Sequence, residues 1–570
     1  MASMTELVHD PVFSKPKALL SGVRGVQIVD FDRIDECCGF GGTFSVTEEA
    51  VAAKMGYDKL AFMQKASPDC IVSSDMSCLM HLQGCALRQK QDSISPYRRD
   101  LERSITMSPV NQARNAEAFL EDTVHEERLD KLLWLLRMRR DAAARQVPEW
   151  EELRTLASDI KEHTLTNLSD YLIEFEAQAT ANGVTVHWAR DAHEHNQIVC
   201  DLLAERQIST LVKSKSMLTE ECELRPFLET RNIRVTETDL GERIQQLDDQ
   251  PPSHIVGPSI HKTTKDVANL FAKKYGSDPN NEDAAYLAGV MRENTRPEIL
   301  NARAGMTGAN FLIADTGGVI VATNEGNAEL SAHTPSLHIV SAGIEKLVPN
   351  MESLAVFIRL LARSATGEAI TQYTSTFRGP REGAAMHVIL VDNGRSSRLG
   401  MERFWHSLKC IRCAACMNTC PVYRRSGGLS YGSTYMGPIG IIMMPTFDVR
   451  KYSELPFASI LNGSCTNVCP VKIDIHEQIY GWREVMEEKG QIQTVKKQAM
   501  KIADKVLSNP TLYQIATTSM STALDVLPHF AIYNRLNAWG KHRDVPEAAS
   551  ETFHEWYNNH RLKANEVLGL

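Results

Sequence analysis

Apolar positions along this chain follow two different periods. In EERLDKLLWLLRMRRDAAARQ and its surroundings, from about Pro96 to Ser158, they recur three and four apart among charged residues, which predicts a helical connector. Downstream, short β-branched runs at Val184–Val186, Ile255–Val256, Gly318–Ala322 and His387–Val391 alternate with helical patterns at Thr264–Lys274, Glu282–Asn294 and Met351–Ala362. Strands alternating with helices predict an open α/β sheet. Near Cys410 the texture changes to short loops, glycines and cysteines, and it returns to helix from about Ile475. The segment GGLSYGSTYMGPIGIIMMP, between Cys420 and Cys465, is rich in Gly and Pro and is expected to be loop covering a buried group. The apolar run Leu527–Leu536, with Trp539 nearby, reads as core packing, with an amphipathic surface for a membrane or partner as the alternative.

A chain of 570 residues exceeds the size of a single core, so several packed units are expected. The divisions fall at 1–95 (partial cysteine-rich domain), 96–150 (helical connector), 151–400 (α/β domain), 401–480 (ferredoxin-type iron–sulfur domain) and 481–570 (C-terminal helical region). A net charge of −9 supplies no basic excess for neutralising phosphates, so nucleic acid is not an expected partner. The N-terminus lacks the order of a secretory signal, and no run of 18 apolar residues occurs. The expected location is the cytoplasm, with membrane contact peripheral at most, on the inner face. Thirteen cysteines in such a chain read as metal ligands or reduced thiols rather than disulfides.

Their spacing carries the chemistry. Cys410-Ile-Arg-Cys413-Ala-Ala-Cys416-Met-Asn-Thr-Cys420-Pro421 has the spacing of the bacterial ferredoxin run, in which three cysteines grip one 4Fe–4S cluster and the fourth points away. The missing ligand is expected from Cys469, which stands before Pro470 as a second such run would have it. Cys420 and Cys465 are then left for a second cluster whose other two positions hold Ser459 and Asn462, oxygen donors weaker than thiolate toward iron. One 4Fe–4S cluster is expected, and a second would be incomplete. Near the start, Cys37-Cys38-Gly39 is followed by Cys78 about 40 residues after Cys38. These three thiols are either an incomplete cluster site or small residues packed inside. Cys70, Cys85, Cys200 and Cys222 read as ordinary thiols.

Several blocks, in order, resemble a known family. They are Lys213-Ser-Lys-Ser-Met-Leu-Thr-Glu220, Thr238-Asp-Leu-Gly-Glu242, Pro252-Ser-His-Ile-Val-Gly-Pro-Ser-Ile-His-Lys262 and Gly305-Met-Thr-Gly-Ala-Asn-Phe-Leu-Ile-Ala-Asp-Thr-Gly317. Glu325-Gly-Asn327, Gly343-Ile-Glu-Lys-Leu-Val-Pro349, Arg363-Ser-Ala-Thr-Gly367 and Asp392-Asn-Gly-Arg395 continue the series. Residues from about 104 to 560 resemble the lactate-utilisation protein B family, the iron–sulfur subunit of a three-protein complex that oxidises L-lactate to pyruvate. Residues from about 16 to 90 resemble instead the C-terminal end of its companion A protein, with the first cluster cysteine of that protein apparently deleted between His9-Asp10 and Lys15-Pro16. Family members usually carry cysteine where Asn462 stands here.

The resemblance implies a Rossmann-like α/β domain, related to CoA transferases and sugar-phosphate isomerases, beside the α-helical ferredoxin-type domain. It implies electron transfer through the cluster as the role, A- and C-type subunits as partners and L-lactate as a candidate ligand. Gly305, Gly308, Asp315, Thr316, Gly317, Glu325 and Asn327 lie in glycine-rich turns at strand ends, where open α/β sheets bind ligands. Lys213, Lys215 and His261 are candidate holders of an anionic carboxylate. The alternative is that the glycines form turns and Asp315 caps a helix. No catalytic residue is assigned, and the absence of a Gly-x-Gly-x-x-Gly fingerprint leaves NAD unexpected.

Overall fold

A computed structural model describes residues 21, 27–73, 75–91, 110–492, 494–526, 539–540, 542–545 and 556–557. The Leu527–Leu536 run and the N-terminal junction at residues 9–16 lie outside the described residues. The described chain divides into two units, one of residues 27–91 and 486–557, the other of residues 110–485.

The larger unit is mixed α/β. Its strands are β1 (Thr185–Ala189), β2 (Thr210–Lys213), β3 (Arg234–Glu237), β4 (Ala304–Gly308), β5 (Phe311–Ile313), β6 (Gly318–Thr323), β7 (Leu337–Gly343), β8 (Leu347–Val348), β9 (Tyr373–Phe377) and β10 (Ala385–Val391). Six of them form one sheet in the order β1-β10-β7-β4-β2-β3, with every pairing parallel. β8, β5, β6 and β9 form a second, four-stranded sheet.

Parallel strands joined by helices are covered on both faces, so their central members read as continuous apolar runs rather than as alternation. LHIVSAG in β7 and AMHVILV in β10 are runs of this kind. The period of two still sorts their side chains. Leu337, Ile339, Ile389 and Val391 join one core with Leu203 and Leu228, while Val340, Ala342, Val388 and Leu390 join the other with Phe175 and Leu312. The predicted helices form at Thr264–Tyr275, where Thr263 and Asp266 make a capping box, at Ala284–Asn301 under an Asp283 cap, and at Met351–Ala365 under an Asn350 cap.

Three expectations change. Ile255–Val256 is not a strand but part of an irregular loop. Prolines at 251, 252 and 258 remove the backbone donors a ladder would need. Within the expected loop 427–445, Gly437–Met443 is an α-helix, begun by a proline in its first turn and buried along its whole length. The stretch read as a connector packs as part of the larger unit from residue 110 onward. Its helix Thr123–Arg145 lies against the short helices Ala415–Thr419 and Pro421–Ser426 of the cysteine-bearing segment.

Gly305, expected near a ligand, serves packing instead. A Cβ there would sit 1.7 Å from the Ser331 carbonyl oxygen, because the helix Asn327–His333 crosses β4 at this point. Gly305→Ala is therefore expected to destabilise the larger unit by about 1–3 kcal/mol, the range for overpacking a filled core, read as a lowered thermal midpoint. An unchanged midpoint would show that the helix can yield.

Candidate cluster site and adjoining cavity

The loop bearing Cys410, Cys413 and Cys416 curls through two non-glycine residues in the left-handed region, Arg412 at φ 62° and Ala414 at φ 64°. Each such residue costs about 1–2 kcal/mol, so the loop pays locally for turning its three sulfurs inward. Cys469 completes the group, and the four cysteines line one small cavity walled by Ile255, Ile439, Val471, Ile473 and Ile475. Backbone amides point at the sulfurs: Arg412 N–H donates to Cys410 Sγ at 3.4 Å and Ile473 N–H to Cys469 Sγ at 3.4 Å. From the neighbouring helix Trp150–Thr166, Arg154 donates through Nε and Nη2 to the Cys469 carbonyl, at 3.1 and 2.9 Å, fixing that ligand's backbone.

Burial pushes the Cys413 and Cys416 thiols well up, with nearby cysteine charges adding to the effect, and raises Cys469 to about 11. Several thiolates in one dry pocket thus need positive charge among them, which metal supplies. Among the described residues no three of these sulfurs lie within 4.8 Å of one another. Thiolates on one tetrahedral zinc, with bonds of about 2.3 Å, would sit roughly 3.8 Å apart. The donors therefore suit a multi-iron cluster better than a single ion.

Cys413 and Arg412 also face a second cavity, of about 270 Å³, at the C-terminal ends of the parallel strands. Lys215 reaches it just past β2, Asp239 past β3, Asn310 past β4 and Lys346 past β7, as expected for the ligand crevice of an open parallel sheet. Lys215 Nζ donates to the Val256 carbonyl at 2.8 Å and lies 3.4 Å from Asp239 Oδ2. Opposite, Glu325 Oε2 accepts from Leu240 N–H at 3.1 Å. Burial, then the charge of Asp239, raises the Glu325 carboxyl to about 7. Asn327 lines the same cavity, its amide donating to Thr238 Oγ1 at 3.3 Å.

So Lys215, Gly308, Glu325 and Asn327 come together, and six other expected residues, Lys213, His261, Gly305, Asp315, Thr316 and Gly317, do not line this cavity. Lys213 is fully buried beneath the cavity, with Nζ 2.9 Å from Glu237, 3.4 Å from Glu220 and 3.5 Å from Glu242. Its charge is already answered by carboxylates, so it has none to offer a ligand. His261 bonds Ser253 Oγ at 2.6 Å and Gln250 Oε1 at 3.3 Å, and burial lowers it to about 4, leaving it neutral. Gly305 packs against a helix, and Asp315 is exposed in a 3₁₀ turn whose start it does not cap. Sequence reasoning missed Lys346 and Arg412. The available signal for Arg412 was a charged residue inside a cluster-binding loop.

A model of the LUD domain matches residues 172–398, which include the parallel sheet and most of the second cavity's wall. A 4Fe-4S dicluster domain matches 406–473, the C-terminal region of lactate utilisation protein B matches 476–561, and a cysteine-rich (CCG) domain matches 7–83. Lactate utilization protein B of Geobacillus thermodenitrificans is 41% identical over 441 residues, covering 75% of this chain and 92% of that protein. Its counterpart in Bacillus cereus strain AH820 is 39% identical over 434 residues, covering 74% and 90%. The chain belongs to the lactate utilization protein B family.

A DUF162-family protein of Deinococcus radiodurans covers 39% of this chain and 98% of its own at 14% identity, but its TM-score of 0.23 carries no structural argument. The dicluster match spans all six C-terminal cysteines, and with the cysteine-rich match it supports iron–sulfur cofactors in this member of the lactate utilization protein B family. The second half-site departs from a full thiolate set. Cys420 and Cys465 are buried, but Ser459 Oγ accepts from Leu461 N–H at 3.2 Å and Asn462 Oδ1 accepts from Ser464 N–H at 3.2 Å. Both oxygens are thus engaged in local turns.

In the smaller unit, Cys38 and Cys78 sulfurs stand 3.0 Å apart, and Gly39 N–H donates to Cys37 Sγ at 3.5 Å. Sulfhydryl bonds from Cys37 and Cys78 lower Cys38 to about 3. The structure brings these three cysteines together, with buried His81 nearby, its Nε2 bonded to the Ala52 carbonyl at 3.0 Å.

Cys413→Ala and Cys469→Ala are expected each to remove about four irons per chain, with the matching acid-labile sulfide, from protein purified without oxygen. Cys200→Ala should remove none. Iron unchanged in both ligand variants would rule out this cysteine set.

Proposed function

We propose that this chain is the iron–sulfur subunit of a complex oxidising L-lactate to pyruvate, and that the cavity beside Cys413 is where the 2-hydroxy acid binds. The observation that carries the reading is the shared wall: Cys413 and Arg412 face both the cluster cavity and the larger one. At about 270 Å³ the larger cavity lies just below the range of about 300–1,000 Å³ typical of drug-sized ligands, a scale suited to a small acid. The names of the curated relatives, lactate utilization protein B, point to the same substrate.

The oxidation takes two electrons and two protons from the carbinol. Because the cluster, when bound, would supply a one-electron acceptor, the two electrons would leave one at a time, each passing on before the next, and the C2 hydrogen would depart as a proton to solvent. Glu325, with a carboxyl near neutrality, is placed to take the hydroxyl proton. Asn327 and Lys215 orient the polar end of the cavity around it. The electrons would pass to A- and C-type partner subunits in the cytoplasm. Among the described residues no helix is long and apolar enough to cross a membrane, so membrane contact in this reading is peripheral. The all-parallel order of the six-stranded sheet supports the Rossmann-like kinship with CoA transferases and sugar-phosphate isomerases. The engagement of Ser459 and Asn462 in turns favours a second reading, a scaffold that has lost part of its clusters.

A general base works only when deprotonated, so lactate-dependent cluster reduction at limiting lactate should rise with pH through about 7. Glu325→Gln should abolish that rise and slow reduction by about 10²–10⁴-fold. A variant as fast as the parent, with the same pH profile, would remove Glu325 from the reaction.

A further inference from the structure

The residues that hold the substrate's carboxylate can be found by asking which cations on the cavity wall lack a partner. Lys213 is enclosed by three carboxylates, and Lys215 is answered by Asp239. Arg395 is bound on both sides, its Nη1 and Nη2 on Glu221 at 2.9 and 3.1 Å and its Nε on Glu345 at 2.5 Å. Two cations remain on the stretch of wall that Cys413 shares. Arg412 is nine-tenths buried, lies over the Tyr435 ring at 4.7 Å and stands beside the Cys410 sulfur, and among the described residues its one carboxylate contact is a distant one, 3.6 Å from Glu345 Oε1, which Arg395 already engages through the other oxygen. Its Nη1 is buried and has no hydrogen-bond partner. Lys346 follows β7 in the 3₁₀ turn Ile344–Lys346 and lines the cavity, and among the described residues its Nζ has neither a hydrogen bond nor an ion pair.

A buried guanidinium N–H left without an acceptor is unfavourable unless an acceptor arrives from outside the chain, and the ammonium on the same wall adds attraction for an anionic one. Around this wall Lys346, Arg412 and Arg395 face Glu345 and Glu221, with the Cys410 sulfur beside Arg412. We propose that Lys346 and Arg412 form the subsite that anchors the substrate carboxylate, on the cluster-facing wall of the cavity. This rests on the reading of the cavity as the 2-hydroxy acid site, and it adds which end of the acid lies where: the carboxylate faces Cys413, and the carbinol faces Glu325. Arginine and lysine together suit this task, the first giving directed N–H donors and the second a compact charge. Burial, followed by the charge of Arg412, lowers Lys346 to about 8, with Glu345 and Cys410 opposing the shift.

The proposal also predicts a coupling. A carboxylate bound beside the cluster opposes the arrival of a further negative charge there, so anion binding and cluster reduction must oppose each other reciprocally. The test uses the full chain carrying its cluster, purified without oxygen, and oxamate, a non-oxidisable analogue of pyruvate, measured by titration calorimetry and by EPR-monitored redox titration. Lys346→Met and Arg412→Gln are expected to weaken oxamate binding about tenfold or more at unchanged iron content, while Lys346→Arg retains it. At an oxamate concentration that just saturates the parent chain, the cluster's midpoint potential should fall in the parent and in Lys346→Arg, and fall much less in Lys346→Met. Should Arg412→Gln lose iron, the three Lys346 measurements decide alone. Parent-like binding and parent-like potential shift in Lys346→Met would overturn the subsite and leave the cavity reading standing. No oxamate binding by the parent chain would overturn both.

Discussion

Sulfur charge in a dry pocket is the constraint around which the larger unit is built. Cys413, Cys416 and Cys469 are buried among isoleucine and valine side chains, where thiolates cannot sit together unless something positive lies between them. The fold answers in layers. Amide N–H groups point at sulfur, Arg154 ties down the backbone of Cys469, and Arg412 stands beside Cys410. A long helix, Thr123–Arg145, that carries no ligand of its own packs against the segment that does. A cluster held there would find a cavity already shaped, and the same apolar jacket that raises the thiols would keep water from it.

The parallel sheet meets this pocket at its working edge. Residues that follow β2, β3, β4 and β7 open onto one cavity, and the turn after β7 supplies both Glu345, committed to Arg395, and Lys346, committed to nothing among the described residues. The loop at Ile255, kept out of strand form by its flanking prolines, lines both the cluster pocket and the larger cavity. What reads in sequence as a failed strand is the partition between two chambers.

How far the sequence revealed this depended on whether local spacing or tertiary placement carried the information. The 4Fe-4S dicluster region is legible because iron imposes its geometry on neighbouring residues in the chain, so the intervals between Cys410, Cys413 and Cys416 suffice to point to it. The α/β class is legible because strand and helix periods differ. Lys213 and Lys215 show the limit: two lysines in one block, two positions apart, one the last residue of β2 and locked among glutamates, the other beyond the strand end and open to the cavity. Nothing local separates them. Glycine was similarly ambiguous, since Gly305 is required by a crossing helix while Gly308 does border the cavity. The helix Gly437–Met443 was hidden because an apolar run buried on every side has no period to display.

In the smaller unit, residues from opposite ends of the chain hold one another. Tyr57 hydroxyl donates to the His542 carbonyl at 2.5 Å, Asp544 N–H donates to the Gly84 carbonyl at 3.0 Å, and Arg543 reaches His81 Nδ1 at 3.2 Å and the Ser45 carbonyl. The cysteine-rich segment is thus no detachable leader on an otherwise self-sufficient protein. The larger unit is topologically an insertion within the smaller one, and trimming the first ninety residues would strip the far end of the chain of its docking partner. Any shortened version meant to isolate the ferredoxin-type centre has to redesign both termini together.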